Sequence, residues 1–451
     1  MHQNQELITG IIPTSSKPVI FSAPKTGFLF SFMTDYAYNF FVNAEKNEVV
    51  KVPVKNDFIY GKTHQNYNIA IYTGDMEFSV KGSRGLYTSA YIKSTSNLDD
   101  IDISKYNGIV FNGKSLNDVF LLDGMRIDHS NNTIKYHDDS ISHDVDINGV
   151  KTNISIRSMV TEECGIHGTS LNNNTVSLTL CFDKEQTIKD FFKHYHSIKE
   201  LVGFLSYRQN IGFDEVYLLT RDPETKYTDK IAQVFVREDF EIEQKDRFSN
   251  ICFNELGDAL PNLLKLFYME DTNGAPVFSV EFLPKNNKEI RYMTNQRIRT
   301  ICSSLEYELQ ELKDFTSDES AILQKLITET KTKVKEFRVQ NDGLSNDTYN
   351  LIFENIKNWT FPLKEKLCAL LKKYEEELSI LTNSNVIINE NSIKTFINYR
   401  NVITHSKFQV PNQDVAVIAH YMCGLIYCSV LSRMGLPKDT LKNLCQYKLL
   451  K

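Results

Sequence analysis

The chain has 451 residues, 41% hydrophobic and 24% charged, the composition of a soluble globular protein with room for two or three domains. No run of about 18 consecutive apolar residues is present, which argues against a membrane span. The opening MHQNQELITG carries neither the basic nor the apolar stretch of a secretory signal, so a cytoplasmic location is expected. Eight cysteines, at 164, 181, 252, 302, 368, 423, 428 and 445, form no CxxC pair. Buried free thiols are therefore expected, with neither a zinc nor a disulfide framework, and no metal or cofactor is anticipated. The net charge of −6 is unevenly spread: residues 285–451 hold 24 Lys and Arg against 19 Asp and Glu, a net of +5, whereas 1–284 hold 27 against 38, a net of −11. Of the two parts, the C-terminal one is better suited to a polyanion.

From residue 6 to about 185 the text predicts strands. Lys17–Phe21, Gly27–Phe32, Asn68–Tyr72, Gly108–Phe111 and Val176–Phe182 are rich in β-branched and aromatic residues and are punctuated by Gly, Asn and Asp. Asn112-Gly113 and Asn148-Gly149 are candidate hairpin turns, and Ser130–Asn132 and Asn172–Asn174 read as loops. Gln186–Ser206 has helical periodicity, with Phe191, Phe192, Tyr195, Ile198 and Leu201–Val202 on one side. Strand-like text returns at Asp214–Thr220 and Ile231–Val236. These stretches are assigned to one β-rich α+β domain, residues 1–285.

Beyond Pro284 helical periodicity takes over, defining an all-α domain, residues 286–451. Helices are predicted at about 288–314, 317–338, 347–381, 390–406, 413–434 and 437–448. Asn391 or Ser392 can cap the fourth of them. Pro362 should break or bend the long third one, and Gly435-Leu436-Pro437 should stop the fifth.

One helix carries chemistry. In Ser392–Phe408 (SIKTFINYRNVITHSKF), Ile393, Phe396, Ile397, Val402 and Ile403 can form an apolar stripe, leaving Arg400, Asn401 and His405 off it. At about 100° per residue, Asn401 and His405 share a face as i,i+4 neighbours, and Arg400 sits at the edge of that arc. RNA cleavage without metal needs a base for the ribose 2′-OH, an acid for the leaving 5′ oxygen and a cation for the phosphorane. Histidine titrates near neutrality and arginine offers a permanent planar fork, so the residue types fit. Tyr399 and Lys407 flank the motif and could stack a base and hold a phosphate. The spacing alone is uninformative: among thirteen arginines, roughly one such Arg-to-His spacing is expected by chance.

On these residues the C-terminal domain resembles the HEPN family of helical ribonucleases, whose hallmark is Arg, often a polar residue, then three to five more, then His; Arg400, Asn401 and His405 match it position by position. A β-rich domain ahead of it resembles the ApeA-type anti-phage defence proteins, more loosely, through an Ile8–Gly10 turn, aromatic strands and a Gly85-Leu86-Tyr87 strand. The resemblance implies an acidic residue in the first helix, with Glu306 as the candidate. It also implies a homodimer through the HEPN bundle, metal-independent cutting of cellular RNA, commonly tRNA, to 2′,3′-cyclic phosphate ends, and a phage-derived trigger at the N-terminal domain. The alternative is a non-catalytic HEPN-type binding or scaffold protein. A hydrolase site in the β-rich part lacks support, since no GxSxG, P-loop or GxGxxG occurs there.

Other candidates are weaker. His420 reads as a core histidine, and His194 and His196 read as surface residues. His137, Asp138, Asp139, His143 and Asp144 form an acidic stretch without helical ligand spacing. Lys331, Lys333, Lys335 and Arg338 read as a solvated helix face, with an RNA-facing stripe as the other possibility.

Overall fold

Strands here are written by alternation: in Val19–Pro24 the residues Val19, Phe21 and Ala23 point inward and their neighbours outward, the period-2 pattern of a sheet packed on one side. The computed structural model describes residues 7–34, 49–98, 101–120, 125–128, 133–136, 140–165, 168–221, 228–243, 250–290, 292–311, 318–341, 343, 345–357, 363–379, 388–404 and 409–448. The chain divides into two units, Met1–Val277 and Phe278–Lys451. The first is β-rich and the second helical, as expected.

The strands of the first unit are β1 (Leu7–Ile12), β2 (Val19–Pro24), β3 (Leu29–Thr34), β4 (Val50–Val52), β5 (Val54–Lys55), β6 (Phe58–Thr63), β7 (Asn68–Tyr72), β8 (Phe78–Val80) and β9 (Ser83–Tyr87). They continue as β10 (Ala90–Ser94), β11 (Lys105–Asn112), β12 (Met125–Asp128), β13 (Thr133–Tyr136), β14 (Ser140–Ile147), β15 (Val150–Gly165), β16 (Gly168–Thr187), β17 (Glu215–Arg221) and β18 (Thr228–Val236). Helices α1 (Lys114–Asn117), α2 (Phe191–Ser206), α3 (Phe253–Leu256) and α4 (Ala259–Tyr268) accompany them. One antiparallel sheet runs β14-β15-β16-β11-β17-β18-β10-β7-β6-β1-β2-β3-β9, with β5 beside β6.

At the β1 end, Phe21, Phe30, Phe32, Phe78 and Tyr91 form an aromatic core. Toward β14 the apolar face of Ile109, Phe111, Ile154, Ile156, Leu178 and Leu180 is buried. There α2 packs on the sheet, with the Tyr195 and Phe111 ring centroids 6.3 Å apart.

Several local expectations change. Ile8–Gly10 is not a turn but part of β1, and Gly10 is needed where the strand presses on its neighbours: a Cβ there would stand 2.2 Å from the Lys62 carbonyl oxygen. Asn148-Gly149 does make the β14–β15 hairpin turn, with φ of +53° and +80°. Asn112-Gly113 instead leads into α1, and Asn172–Asn174 lie within β16, where Asn172 pairs with Thr161 of β15 and the register shifts between there and the Met159–Thr175 pair. The expected loop Ser130–Asn132 lies outside the described residues.

The second unit contains α5 (Asn287–Ile290), α6 (Asn295–Glu311), α7 (Asp318–Gln340), α8 (Asn346–Lys357), α9 (Leu363–Lys373), α10 (Glu375–Leu378), α11 (Glu390–Thr404), α12 (Gln413–Arg433) and α13 (Lys438–Tyr447). The long helix expected over 347–381 is divided among α8, α9 and α10; Pro362 itself lies outside the described residues. The unit begins at Phe278, eight residues before the expected start at 286. The reason is packing: the Phe278 ring lies 6.5 Å from Tyr307 and the Phe282 ring 6.1 Å from Tyr427, so this apolar lead-in belongs to the helices. Its partner α12 is long and apolar enough to cross a membrane by length and composition, but most of it is buried among the other helices. Gly435, with φ of +97°, ends the helix as expected, and the Leu436 amide donates to the Leu431 carbonyl at 3.0 Å.

Candidate functional site

The motif helix α11 is capped earlier than its sequence suggests. Asn389, not Asn391 or Ser392, is the cap: its Oδ1 accepts the amides of Asn391 at 2.9 Å and Ser392 at 3.2 Å. From there Ile393, Phe396, Tyr399 and Ile403 form the buried face, a stripe at spacings of three and four that packs on α6, α9 and α12.

This stripe decides the fate of Tyr399. The residue is 6% exposed, so its ring is not free to stack on a base, and the expected RNA-binding role is withdrawn. Its hydroxyl lies 2.8 Å from Asn295 Oδ1 and 2.8 Å from the Gln409 carbonyl oxygen. Burial raises the phenol pKa above its ordinary value.

Arg400 and Asn401 fall beside the stripe, at the solvent edge of α11. Arg400 Nη2 donates to Glu306 Oε1 on α6 at 2.6 Å, and Arg400 Nη1 donates to Asn401 Oδ1 at 3.3 Å. The two side chains of the ion pair remain 31% and 39% exposed, so water and a ligand can both reach the guanidinium. Glu306, chosen from the sequence as the acidic residue of the first helix, is thus brought together with Arg400 and Asn401. Cys302 stands one turn earlier on α6; burial pushes its thiol up to about 12, with Arg400 pulling the other way and Glu306 adding to the rise. A thiol so far from ionising at neutral pH is packing, not a nucleophile.

His405 and Lys407 lie outside the described residues. The helix is described to Thr404, whose Oγ1 donates to the Arg400 carbonyl at 2.7 Å.

Two further α6 side chains reach the motif and were not singled out in the sequence. An Arg299 Nη2–H donates to the carbonyl of Ile403, in the last turn of α11. Asn295 Nδ2 donates to the Gln409 carbonyl at 2.9 Å. The available signal was the spacing of Asn295, Arg299 and Glu306, which places three polar groups along one face of a helix; nothing in the sequence says which helix that face meets.

The same helix holds a second carboxylate facing elsewhere. Glu308 is fully buried, accepts Ser429 Oγ at 2.7 Å and is paired with Arg433 Nη2 at 2.6 Å. Arg297 is likewise buried and donates to the main-chain carbonyls of Glu289 at 2.7 Å and Tyr292 at 3.0 Å. These groups hold the bundle together.

The remaining sequence candidates resolve into structure. Burial pulls the His420 imidazole down to about 4, and the Ile290 backbone hydrogen-bonds it; the residue is half-buried, at the edge of the core and not within it. His194 is buried, not at the surface: its Nδ1 lies 2.9 Å from the Tyr268 hydroxyl, and burial draws its pKa to about 4. His143 and Asp144 lie on β14, where Asp144 accepts Asn153 Nδ2 at 2.7 Å; His137, Asp138 and Asp139 lie outside the described residues. Lys331 and Lys335 stand over the Phe353 ring of α8, 5.7 and 5.5 Å from its centroid, and Arg338 stands 4.0 Å over Tyr349, so much of that basic run packs on aromatic faces.

Comparison with known proteins finds no match to the chain among family models, curated proteins or solved structures.

Proposed function

We propose that this chain is a metal-independent endoribonuclease of the HEPN type, an anti-phage defence effector whose β-rich domain receives a phage-derived trigger and whose helical domain cuts cellular RNA, tRNA first. The observation that carries the reading is the Arg400–Glu306 pair with Asn401 beside it, at an accessible edge between α6 and α11. A guanidinium held by one carboxylate oxygen keeps donors for a phosphate and is aimed before the substrate arrives. Arg400 stabilises the charge that develops on the phosphorane. His405 takes the 2′-OH proton or gives one to the 5′ oxygen, and Asn401 holds a phosphate oxygen or orients the imidazole. The 2′ oxygen attacks phosphorus, the bond to the 5′ oxygen breaks, and a 2′,3′-cyclic phosphate remains. One motif supplies one histidine, so two copies facing each other across a shared groove complete the acid–base pair.

A second reading, a binding module without catalysis, draws on the same ion pair: Arg400 engaged by Glu306 is also what a purely structural contact looks like. Incubating the full chain and its His405→Ala variant with total tRNA in EDTA, followed by end-group analysis, separates the two. The proposal expects cutting by the wild type alone with cyclic-phosphate ends. Equal cutting by both proteins would sink the assignment of His405, and RNA binding without cutting by the wild type would favour the binding module.

A further inference from the structure

An antiparallel sheet packed on one side alternates apolar inward and polar outward along each strand. The strands β1, β2, β3 and β9 depart from that rule. Phe21, Phe30 and Phe32 point into the aromatic core, yet the opposite, outer face is apolar as well. Leu7, Ile11, Leu29 and Tyr87 stand there 61%, 42%, 49% and 65% exposed. The register sorts this face into rows. Ile11, Ile20 and Met33 lie side by side across β1, β2 and β3, with Lys62 of β6 at the end of the row. A second apolar row pairs Leu7 with Pro24 and Leu29 with Tyr87. Between the two runs a row of short side chains, Thr9, Ser22, Ser31 and Gly85. The apolar rows are four residues apart, so at about 3.3 Å per residue they wall a trough about 13 Å wide, room for an α-helix with its side chains.

The same face takes a helix elsewhere in the fold. On β6 and β7, Phe58 and Tyr72 are covered by Phe192 of the amphipathic helix α2, their ring centroids 6.3 and 4.4 Å from it. Phe58 and Lys62 share a face of β6 by the period of two, and Lys62 pairs with Ile11, so the trough continues the surface on which α2 begins. Charge then selects the kind of helix. Residues 7–34 and 81–87, which carry the four strands, hold Lys17, Lys25, Lys81 and Arg84 and no carboxylate, inside a stretch, 1–284, whose net charge is −11.

We propose that the outer face of β1, β2, β3 and β9 docks an acidic amphipathic α-helix of another protein. Apolar side chains at i, i+3, i+4 and i+7 fill the trough between the two rows, and carboxylates on the flanks of the helix meet the cations around it. In the defence reading above, on which this naming of the partner rests, the helix belongs to the phage-derived trigger. Docking itself needs no nuclease activity.

The test uses the full chain and two fluorescent peptides of about 18 residues, long enough to form a helix. Both carry leucine at the same helical positions, one with glutamate elsewhere and one with lysine, and binding is read by anisotropy. The glutamate peptide should bind saturably and about tenfold tighter than the lysine peptide, and raising salt from about 0.05 to 0.5 M should shrink that preference severalfold. Leu29→Ser and Tyr87→Ser should each weaken binding by about tenfold with Tm unchanged. Leu351→Ser, which removes an exposed leucine from α8, should leave binding as it was. No saturable binding of the glutamate peptide overturns the proposal. So does equal binding of both peptides, or an equal loss in Leu351→Ser and Leu29→Ser, since either marks unspecific apolar contact. Capture on phosphatidylserine vesicles, lost in Leu29→Ser and with no peptide bound, would make the face a membrane contact and overturn it too. If the glutamate peptide binds as expected while the wild type cuts no RNA, the docking surface stands and the ribonuclease reading alone fails.

Discussion

Glu306 and Glu308 stand two residues apart on α6, each bonded to an arginine on another helix at 2.6 Å; the arginines are 31% and 24% exposed, but the two carboxylates live in different media. Glu308 is fully buried, and its remaining oxygen is taken by Ser429 Oγ at 2.7 Å. Glu306 and Arg400 are more than 30% exposed, and the guanidinium has a face toward water. In the low-dielectric interior an ion pair must be complete, because either partner left alone costs several kcal/mol. At the exposed edge the same geometry contributes little to stability, on the order of 0.2–1 kcal/mol. The same chemistry on one helix therefore serves two ends: the Arg433 side fixes the bundle, and the Arg400 side leaves a charge within reach of a ligand.

The most severe test of that division is Arg400→Ala. It should lower RNA cleavage by about 100- to 1000-fold, the usual loss when a donor to a developing oxyanion is removed, while Tm moves by no more than an exposed pair allows. A large fall in Tm with unchanged activity would reverse the roles of the two sides. Next is Glu308→Ala, which leaves Arg433, 24% exposed, without its carboxylate and opens a gap beside Ser429; it should cost about 1–3 kcal/mol by denaturant titration. Survival of full stability would mean that the buried pair is replaceable by its apolar surroundings. Glu306→Gln removes the charge but keeps a hydrogen-bond acceptor. It should leave stability within about 1 kcal/mol and lower kcat by about tenfold through looser aiming of Arg400, so a stability loss matching that of Glu308→Ala would erase the contrast.

Much of this was legible in the sequence, and the failures have specific causes. The switch from alternating strands to helical periodicity marks the two units; residue type and setting point to Arg400 and Asn401, and the family resemblance to Glu306. The boundary lies eight residues before the one helical periodicity marks, because the aromatic contacts of Phe278 and Phe282 with Tyr307 and Tyr427 are invisible before folding. The helices α3 and α4 went unpredicted, α3 being a single turn. His194 was read as surface since its partner, Tyr268, is 74 residues away in sequence. Arg299 and Asn295 were passed over for the same reason: a polar helix face is ordinary until the structure shows what it meets.

Tyr399 is the finest divider between the two sides of the motif helix. Read from the sequence it stacks a base; in the fold it belongs to the apolar stripe, 6% exposed, with its hydroxyl against Asn295 and Gln409. Tyr399→Phe keeps the ring and deletes only that hydroxyl. A lost neutral hydrogen bond at a largely buried site costs about 1 kcal/mol, so Tm should fall modestly while the affinity of a cleavage-dead His405→Ala background for single-stranded RNA stays the same. Tyr399→Leu separates the ring itself: a base-stacking tyrosine would lose about 1–3 kcal/mol of RNA affinity on losing its ring, whereas a core tyrosine loses packing and stability first. If RNA affinity falls while Tm holds, Tyr399 belongs with Arg400 on the accessible side, and the line between the two sides of α11 must be redrawn through its ring.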